Sequence, residues 1–407
     1  MAGFVAVIVA ISVAACGTPS EDDGTASGAD EYVVGYQAPL SGDLSFLGTG
    51  NLGGLESYFD QVNSEGGING RQVKVISQDD MGAVDTAVTK FKELVRSGAL
   101  VVGGFPISTV NQGVFQVAAK EEVPMIGYGI NTDEFVTPPN PWAFATAGTA
   151  RTFVSMMNAY VESSAPKRGL QEPKVAVLAV DTAASKEVRD LVAAASDEAG
   201  WQLTDSEFIP LTATDANAQM AKIAQSKPDY VFLWTASPLL PMIANGAKAN
   251  GLDSEDVQIV GADFADNEAI MSQLGIPNYY YDQINLWSQA KDGATAPMQA
   301  AAKKFGHGEE LGESYFTDGW VEAEIIAAAL DKCGDDCSGK SVSEALEETT
   351  VGDAGGLAGP DVGFSADSHE AYTHQRVVHF VPGKDVAVPV TPWIEWKEHE
   401  IHAEEGS

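Results

Sequence analysis

The stretch VDTAVTKFKELVRSGALVVG, residues 84–103, decides the predicted fold of this chain. In its first part, apolar residues recur every three or four positions, which predicts an amphipathic helix over Val84–Arg96. The short apolar run Leu100–Gly103 that follows predicts a buried strand. A helix followed at once by a buried strand is the repeating unit of a parallel α/β sheet.

The same alternation extends to both sides of this stretch. The neighbouring predicted strands are Tyr32–Ala38, Val73–Ser77 and Pro124–Gly127, and the neighbouring helices are Leu52–Val62 and Ser108–Lys120. Strands and helices alternating at these lengths predict a parallel sheet with helices on both faces.

The pattern restarts after the proline-rich residues 138–141. Helices are predicted at Thr152–Ser163, Lys186–Ala199, Asn217–Gln225 and Leu239–Ala249, and strands at Lys174–Val180, Gln202–Phe208, Tyr230–Trp234 and Val257–Gly261. The less regular remainder predicts helices at Thr295–Phe305, Trp320–Leu330 and Ser341–Glu348 and a final strand at Gln375–Val381. The sequence therefore predicts two copies of one α/β architecture.

The N-terminus carries an export signal in this interpretation. The apolar run Phe4–Val13 is shorter than the roughly 20 residues of a membrane-spanning helix and is followed by Ala14-Ala15-Cys16-Gly17, which resembles a bacterial lipobox. We expect a signal peptide over residues 1–15, lipidation of Cys16 and a flexible polar tether over residues 16–30. The alternative is a buried strand with a buried cysteine.

The other two cysteines are Cys333 and Cys337. In an exported protein an even pair favours a disulfide. Residues four apart on a regular helix hold their Cβ atoms about 5–6 Å apart, wider than the about 3.5–4.5 Å of a disulfide. The bond therefore requires a turn at Gly334-Asp335-Asp336.

Size and charge exclude several classes of protein. The 407 residues exceed one ordinary domain and predict two or more. The 58 acidic and 23 basic residues give a formal net charge of −35, which repels phosphate backbones and anionic lipid. We therefore expect no nucleic-acid binding, and membrane attachment only through an anchor.

A dinucleotide-binding fingerprint occurs at Gly48-Thr49-Gly50-Asn51-Leu52-Gly53, with Asp79 and Asp80 after the second predicted strand. In a nucleotide-binding unit these glycines follow the first strand directly, whereas here the loop 39–47 intervenes. The favoured interpretation is a helix entry whose glycines allow close packing, with an NAD-dependent oxidoreductase as a distant alternative. No hydrolase elbow and no metalloprotease motif occurs in the sequence, so we expect no enzyme, cofactor or metal.

Polar residues follow two predicted strands at the edge where α/β proteins bind ligands. Ser108 and Thr109 open a helix, where hydroxyls and free N–H groups suit a carboxylate, and Asn131 follows the next strand. The residues alone leave plain helix capping equally open.

Five segments resemble type I periplasmic binding proteins of the branched-chain amino-acid family. They are Tyr32–Gly42 with its Pro-Leu-Ser-Gly, Val62–Gly70, Asp79-Asp80, Val123–Ile126, and Gly356–Pro360 before Phe364-Ser365. The resemblance covers about residues 31–385 and implies two Rossmann-like lobes joined by three crossover strands. It implies an N-terminal lobe of residues 31–148 and 282–356, a C-terminal lobe of 149–281 and 357–390, and a tail at 391–407.

The resemblance also implies a ligand site. Ser108 with Thr109, Gly129 and Asn131 would hold a carboxylate, and Asp263 would hold an α-ammonium. The remaining expected ligand-binding residues are Leu47, Tyr128, Ser185, Thr235, Trp234 and Tyr315, and Ala236 should line the same cleft as Thr235. Asn131 and Ser185 depart from the residues usual in the family, which leaves the amino-acid specificity open.

The predicted function is an extracytoplasmic, lipid-anchored, monomeric substrate-binding protein that delivers a branched-chain or other hydrophobic amino acid to an ABC permease. Two alternatives keep the fold: a binder of an aromatic carboxylate or short amide, and a sensory ectodomain that signals through a partner.

Overall fold

The computed structural model describes residues 31–265, 267–384 and 386–400. The predicted signal peptide, the lipidation of Cys16 and the tether lie outside these residues, as does the end of the predicted tail at 401–407. Within the described ranges, no helix has the length and apolarity that a membrane span requires.

The first sheet has five parallel strands in the order β2-β1-β3-β4-β5. Its strands are β1 Glu31–Ala38, β2 Gln72–Asp79, β3 Val101–Gly104, β4 Met125–Gly127 and β5 Ala143–Ala145. The helices between them are α1 Thr49–Ser64, α2 Val84–Arg96, α3 Ser108–Glu121 and the short α4 Asp133–Val136. The quoted stretch forms α2 and β3 as the sequence predicts.

The second sheet follows the order β14-β13-β10-β9-β8-β6-β7, with β15 also paired to β13. Its strands are β6 Lys174–Val180, β7 Gln202–Ile209, β8 Tyr230–Trp234, β9 Gln258–Gly261, β10 Tyr279–Gln283, β13 His374–Val381, β14 Val386–Pro389 and β15 Ile394–Glu395. The accompanying helices are α5 Ala150–Ser164, α6 Ala183–Glu198, α7 Asn217–Ser226, α8 Leu240–Ala249 and α9 Glu268–Leu274. Strands β6 to β10 run parallel, and β13 and β14 add an antiparallel edge.

The segment after β10 returns to the first sheet. It contains α10 Ala296–Phe305, α11 Phe316–Cys333, α12 Gly339–Leu346 and the small hairpin of β11 Thr350–Gly352 and β12 Val362–Gly363. Helix α11 packs along α1, and glycines of α1 make the contact close. A Cβ atom on Gly50 would lie 2.2 Å from the Ser314 carbonyl oxygen, and one on Gly54 would lie 2.0 Å from that of Phe316.

These contacts explain the glycine-rich fingerprint at residues 48–53. A 3-10 helix at Gly42–Leu47 separates β1 from α1, so the glycines do not follow the strand directly. Gly50 instead meets the Ser314 backbone just before α11, and Gly53 meets the Glu310 side chain, so the glycines allow close packing as the favoured interpretation predicts.

Each sheet has its own hydrophobic core. Core side chains of the first sheet come from residues 32–147 and 284–372, with Ala236 reaching across, and those of the second from 150–281 and 377–396. We refer to these two bodies as the N-terminal and C-terminal lobes. The chain passes between the cores three times, at residues 147–150, 281–284 and 372–377, which gives the expected three crossovers.

The core contacts differ from the predicted lobe boundaries at two places. The predicted boundaries place residues 357–372 in the C-terminal lobe, but Leu357, Phe364 and Tyr372 are buried in the N-terminal core. Residues 391–400 were assigned to a tail, yet they form β15 and a 3-10 helix, and Trp396 is buried in the C-terminal core. Its indole N–H donates to the Tyr372 carbonyl oxygen at 3.1 Å, so this segment is fixed by packing.

Cys333 and Cys337 form a disulfide in the structure. The residues between them make a 3-10 turn at Gly334–Asp336, which supplies the departure from a regular helix that the spacing requires.

Candidate functional site

A cavity lies between the two lobes, where the carboxyl ends of both parallel sheets meet. Its empty volume is about 470 Å³, a figure that includes the open solvent space at its mouth. The lining residues are Leu47, Pro106, Ile107, Ser108, Tyr128, Asn131, Val180, Thr182, Leu211, Trp234, Ala236, Phe264 and Tyr315. None of these residues carries a charged side chain.

Ser108 occupies the first position of helix α3, directly after β3 and the loop 105–107. The side chain is 3% exposed and lines the cavity. The first N–H groups of a helix have no intrahelical acceptor, and the helix dipole favours negative charge there. The hydroxyl and these N–H groups together can therefore hold a carboxylate.

Asn131 belongs to the loop after β4, and Asn111 of α3 fixes that loop in place. The Asn111 amide donates to the Phe105 and Gly129 carbonyl oxygens, both at 2.8 Å. A Cβ atom on Gly129 would lie 2.2 Å from the Phe105 carbonyl oxygen, so only glycine allows this approach. The Asn131 side chain lines the cavity, and its Oδ1 has no hydrogen-bond partner among the described residues. It can accept a hydrogen bond from a ligand.

Two stacked tyrosines line the cavity. The rings of Tyr128 and Tyr315 are stacked, with centroids 4.8 Å apart and planes 28° from parallel. The Tyr128 hydroxyl donates to the Leu47 carbonyl oxygen. Tyr315 precedes α11 with φ of +68°, a left-handed conformation that is strained for a bulky residue. Such strain is typical of ligand-binding positions.

The C-terminal lobe supplies an apolar wall. Trp234 at the end of β8 packs edge to face against Phe264, with ring centroids 4.8 Å apart. Val180 ends β6 and Leu211 follows β7, and both line the cavity. Thr182 is the polar residue of this wall, and its hydroxyl lies 2.7 Å from that of Ser185.

Asp263 follows β9 and lies outside the cavity lining. Its Oδ2 accepts the Gly148 N–H at 2.8 Å, at a crossover between the lobes, while its Oδ1 has no hydrogen-bond partner among the described residues. Burial, and after it the nearby Asp318, raise the pKa of Asp263 to about 7. Near neutral pH the carboxyl group therefore exists in both protonation states.

Further buried carboxyl groups surround this crossover. Burial raises the pKa of Asp318 to about 6, although Asn285 donates a hydrogen bond to it at 3.1 Å. Burial and Asp263 also raise the pKa of Asp282. In the described part of the chain, no group of three or more His, Cys, Asp or Glu residues has an arrangement suited to a metal ion.

Comparison with known proteins identifies the family of this chain. The sequence profile of the periplasmic binding proteins matches residues 31–384. The chain belongs to that family. A Leu/Ile/Val-binding protein homolog of Brucella melitensis is 23% identical over 349 residues, which covers 81% of this chain and 89% of that protein.

Solved structures with a similar fold belong to ABC transporter binding proteins. A branched-chain amino acid ABC transporter structure from Thermus thermophilus with bound valine has a TM-score of 0.78 and 18% identity, covering 90% of this chain and 98% of that chain. An ABC transporter solute-binding protein from R. palustris in complex with 4-hydroxybenzoate has a TM-score of 0.74 and 16% identity, covering 90% and 96%. These neighbours share the predicted two-lobe α/β fold.

Six of the eleven residues expected to bind ligand line the cavity of this family member: Leu47, Ser108, Tyr128, Asn131, Trp234 and Tyr315. The other five do not line it: Thr109, Gly129, Ser185, Thr235 and Asp263. Thr235 lies between Trp234 and Ala236, and successive side chains of an extended segment point to opposite sides. Ser185 is buried, and its hydroxyl lies 2.7 Å from that of Thr182, which lines the cavity in its place.

Ala236 lines the cavity as expected, and sequence reasoning missed six lining residues: Pro106, Ile107, Val180, Thr182, Leu211 and Phe264. Each lies at or just after the carboxyl end of a strand. That position is visible in the sequence, but apolar residues there look the same as core residues.

The lobes also touch directly around the cavity. The Ala184 N–H donates to the Ser108 hydroxyl at 3.2 Å, and the Ala183 N–H donates to the Thr109 hydroxyl at 3.1 Å. The Asn267 side chain donates to the Gly312 carbonyl oxygen at 3.3 Å. The structure therefore represents the lobes in a closed arrangement.

Proposed function

We propose that this protein is the extracytoplasmic substrate-binding component of an ABC importer, and that it captures a hydrophobic amino acid such as leucine. The supporting observation is the cavity between two closed lobes, with a helix N-terminus on one side and an apolar wall on the other. Ser108 and the first turn of α3 would hold the carboxylate, and Trp234, Phe264 and Leu211 would contact the side chain.

The ammonium group needs an acceptor in this proposal. Asn131 offers an unpartnered oxygen at the cavity surface, and Asp263 offers one behind it. Asp263 would have to turn its free oxygen toward the cavity when the ligand binds. The relatives named for Leu/Ile/Val binding and the valine complex support this ligand class.

The energetics require contacts from both lobes. A hydrogen bond to a charged group contributes about 1.5–3 kcal/mol, and burial of an aliphatic side chain contributes a similar amount. Micromolar affinity requires about 8.2 kcal/mol. Neither wall alone reaches this value, so binding depends on closure of the lobes around the ligand.

An aromatic carboxylate is a second candidate, favoured by two observations. Four aromatic side chains line the cavity, and Asp263, the acid expected to bind an ammonium group, does not. A ring-bearing acid would stack on Tyr128 and Phe264 and would need no partner for an ammonium group. The structural neighbour with bound 4-hydroxybenzoate supports this candidate.

Isothermal titration calorimetry distinguishes the two ligand classes. We expect L-leucine or L-valine to bind with micromolar affinity and Asp263→Ala to weaken that binding. If 4-hydroxybenzoate binds instead, with equal affinity in the wild type and in Asp263→Ala, the amino-acid proposal is wrong. Absence of binding by all three compounds would contradict both.

We further propose that a lipid at Cys16 anchors the protein to the membrane. Two or more acyl chains are expected, since a single chain binds only marginally. Mass spectrometry of the mature N-terminal peptide tests this, and an unmodified Cys16 would contradict it.

A further inference from the structure

Glu187 connects the two lobes beside the ligand cavity. It belongs to α6 of the C-terminal lobe, and its two carboxyl oxygens lie 3.0 and 3.2 Å from the backbone nitrogen of Asp133. Asp133 begins α4 in the N-terminal lobe. The contact lies close in sequence to Asn131, which lines the cavity, and to Ala184, which contacts Ser108. Opening of the lobes must break it.

The groups that face Glu187 are mostly acidic. Asp133 and Glu134 lie on α4 of the opposite lobe, and Gln112 of α3 donates to Glu134 at 2.5 Å. Arg151 of α5 is the cation in this cluster, but it is shared. Its guanidinium lies 3.5 Å from Asp133, 2.9 Å from Glu370 and 3.2 Å from Glu400.

Charges on α6 itself are engaged elsewhere. Lys186 pairs with Asp181 at 3.2 Å, and Arg189 pairs with Asp190 at 2.7 Å. Arg151 already has three carboxylate partners, Asp133, Glu370 and Glu400, apart from Glu187. A fourth negative charge in this half-buried position is opposed by burial and by Asp133.

We propose that Glu187 is a positioning residue for ligand capture: it bridges the closed lobes in its protonated form, and its ionisation favours opening. This inference rests on the proposed function, because it concerns closure around a ligand. The protonated carboxyl still accepts the Asp133 N–H through its carbonyl oxygen. In an open arrangement Glu187 would lie in water and would ionise readily.

The direction of the pH effect follows from the two environments. In the closed structure burial, and next the charge of Asp133, raise the pKa of Glu187 to about 8 from its ordinary 4.5. At pH values between about 4.5 and 8, Glu187 therefore takes up a proton when the lobes close. Closure consequently becomes less favourable as the pH rises toward 8. Between pH 6 and pH 8 the ratio of closed to open molecules is expected to fall by about tenfold or more.

Small-angle X-ray scattering of the ligand-free, full-length protein tests the proposal. We expect the radius of gyration of the wild type to be smaller at pH 6 than at pH 8.5. Glu187→Gln keeps the acceptor oxygen and cannot ionise, so its radius of gyration should stay at the smaller value at both pH values.

Glu324→Gln is a matched control. Burial raises the pKa of Glu324 to about 7, but this residue lies on α11, and no contact to the other lobe involves it among the described residues. Its variant should keep the wild-type response to pH. The proposal is overturned if the wild type shows no response, or if Glu187→Gln responds as the wild type does.

Titration with L-leucine at the same two pH values separates this inference from the ligand assignment. We expect the wild type to bind leucine more weakly at pH 8.5 than at pH 6 by about tenfold or more, and Glu187→Gln to lose this difference. If leucine fails to bind while scattering responds through Glu187, the proposed ligand is wrong and the lobe contact stands. If leucine binds with equal affinity at both pH values in the wild type, the lobe contact is wrong and the ligand stands.

Discussion

The two walls of the cavity are built from the same type of fold but differ in chemistry. The N-terminal lobe contributes Ser108, Asn131 and the Tyr128 ring, at the start of a helix and in a loop held by Asn111. The C-terminal lobe contributes Val180, Trp234 and other apolar side chains at strand ends. The N-terminal lobe also supplies the apolar Leu47, Pro106 and Ile107, and the C-terminal lobe supplies the polar Thr182, but the groups suited to a charged head group lie mainly on the N-terminal lobe.

This difference implies an order of events in binding. Head-group contacts depend on hydrogen-bonding groups that the N-terminal lobe already positions, whereas apolar contacts give their stabilisation only when water is excluded. We therefore expect the N-terminal lobe to receive the ligand first and the C-terminal lobe to close over it.

Trp234→Ala should have the largest effect on stability, because Trp234 belongs both to the cavity wall and to the hydrophobic core of the C-terminal lobe. Trp234 is 2% exposed and packs against Phe153 at 5.2 Å as well as against Phe264. Loss of a buried large aromatic residue costs about 3–5 kcal/mol, measured as the free energy of unfolding in urea. Phe264→Ala is the control, since Phe264 is only half-buried and should cost less stability while losing comparable ligand contact. Equal destabilisation by the two variants would contradict this account of the wall.

Asp263→Asn tests whether the buried carboxyl group at the crossover makes the stability of the protein depend on pH. Asp263 has a folded pKa of about 7 against an ordinary value of 3.8, so the folded state holds a proton that the unfolded state releases. The free energy of unfolding therefore falls as pH rises from about 4 to about 7, by up to about 4 kcal/mol. Asn mimics the protonated form and should remove this loss.

Chemical denaturation at pH 5 and pH 8 measures the effect. We expect Asp263→Asn to unfold at higher urea than the wild type at pH 8, with a smaller difference at pH 5. A variant that is less stable than the wild type at pH 8 would show that the ionised carboxylate is stabilising, contrary to this prediction.

Ser108→Ala should weaken ligand binding with little change in stability. A hydrogen bond to a charged group contributes about 1.5–3 kcal/mol, so the dissociation constant should rise about 10- to 150-fold. Calorimetry with the ligand found above measures it. Thr109→Ala is the matched control because Thr109 makes a similar contact to the opposite lobe but does not line the cavity. If both variants weaken binding equally, Ser108 acts through lobe contact rather than through the ligand.

Asn131→Ala should have the smallest effect. Its Oδ1 is without a partner in the described structure, so its removal costs the folded protein little. Loss of its hydrogen bond to the ligand's ammonium group should cost about 1.5 kcal/mol, the low end for a charged partner because Asp263 remains as a second acceptor, and should raise the dissociation constant about 12-fold. Calorimetry measures the change in ligand affinity, and a thermal melt measures the change in stability. A large loss of thermal stability would assign Asn131 to the fold instead.

Much of the fold could be predicted from the sequence because its signals are local. Helix α2 and strands β6 and β8 begin and end where the periodicity predicts, since apolar spacing reports which face is buried. Strand β10, Tyr279–Gln283, was missed although it lies inside the second sheet. Its run of three tyrosines before an aspartate and a glutamine has neither the alternation nor the aliphatic character of the other strands.

The candidate site was predictable only in part. Ser108, Asn131 and Trp234 could be found because strand ends are recognisable in the sequence. The exclusion of Thr235 and Ser185 could not, because it depends on which way each side chain turns at the end of its element. Asp263 was expected to face the ligand, and its contact with Gly148 arises from a crossover more than one hundred residues away in the sequence.

The sequence by itself determined the α/β class, the two-fold repetition of the architecture and the strand ends where a ligand would bind. It did so because hydrophobic periodicity and turn residues act over a few neighbouring positions. Only the tertiary structure decided which strand-end residues face one another across the cleft. It also placed Glu187 against Asp133 and grouped buried carboxyl groups at the crossover, because these contacts join segments of the two lobes that no local pattern relates.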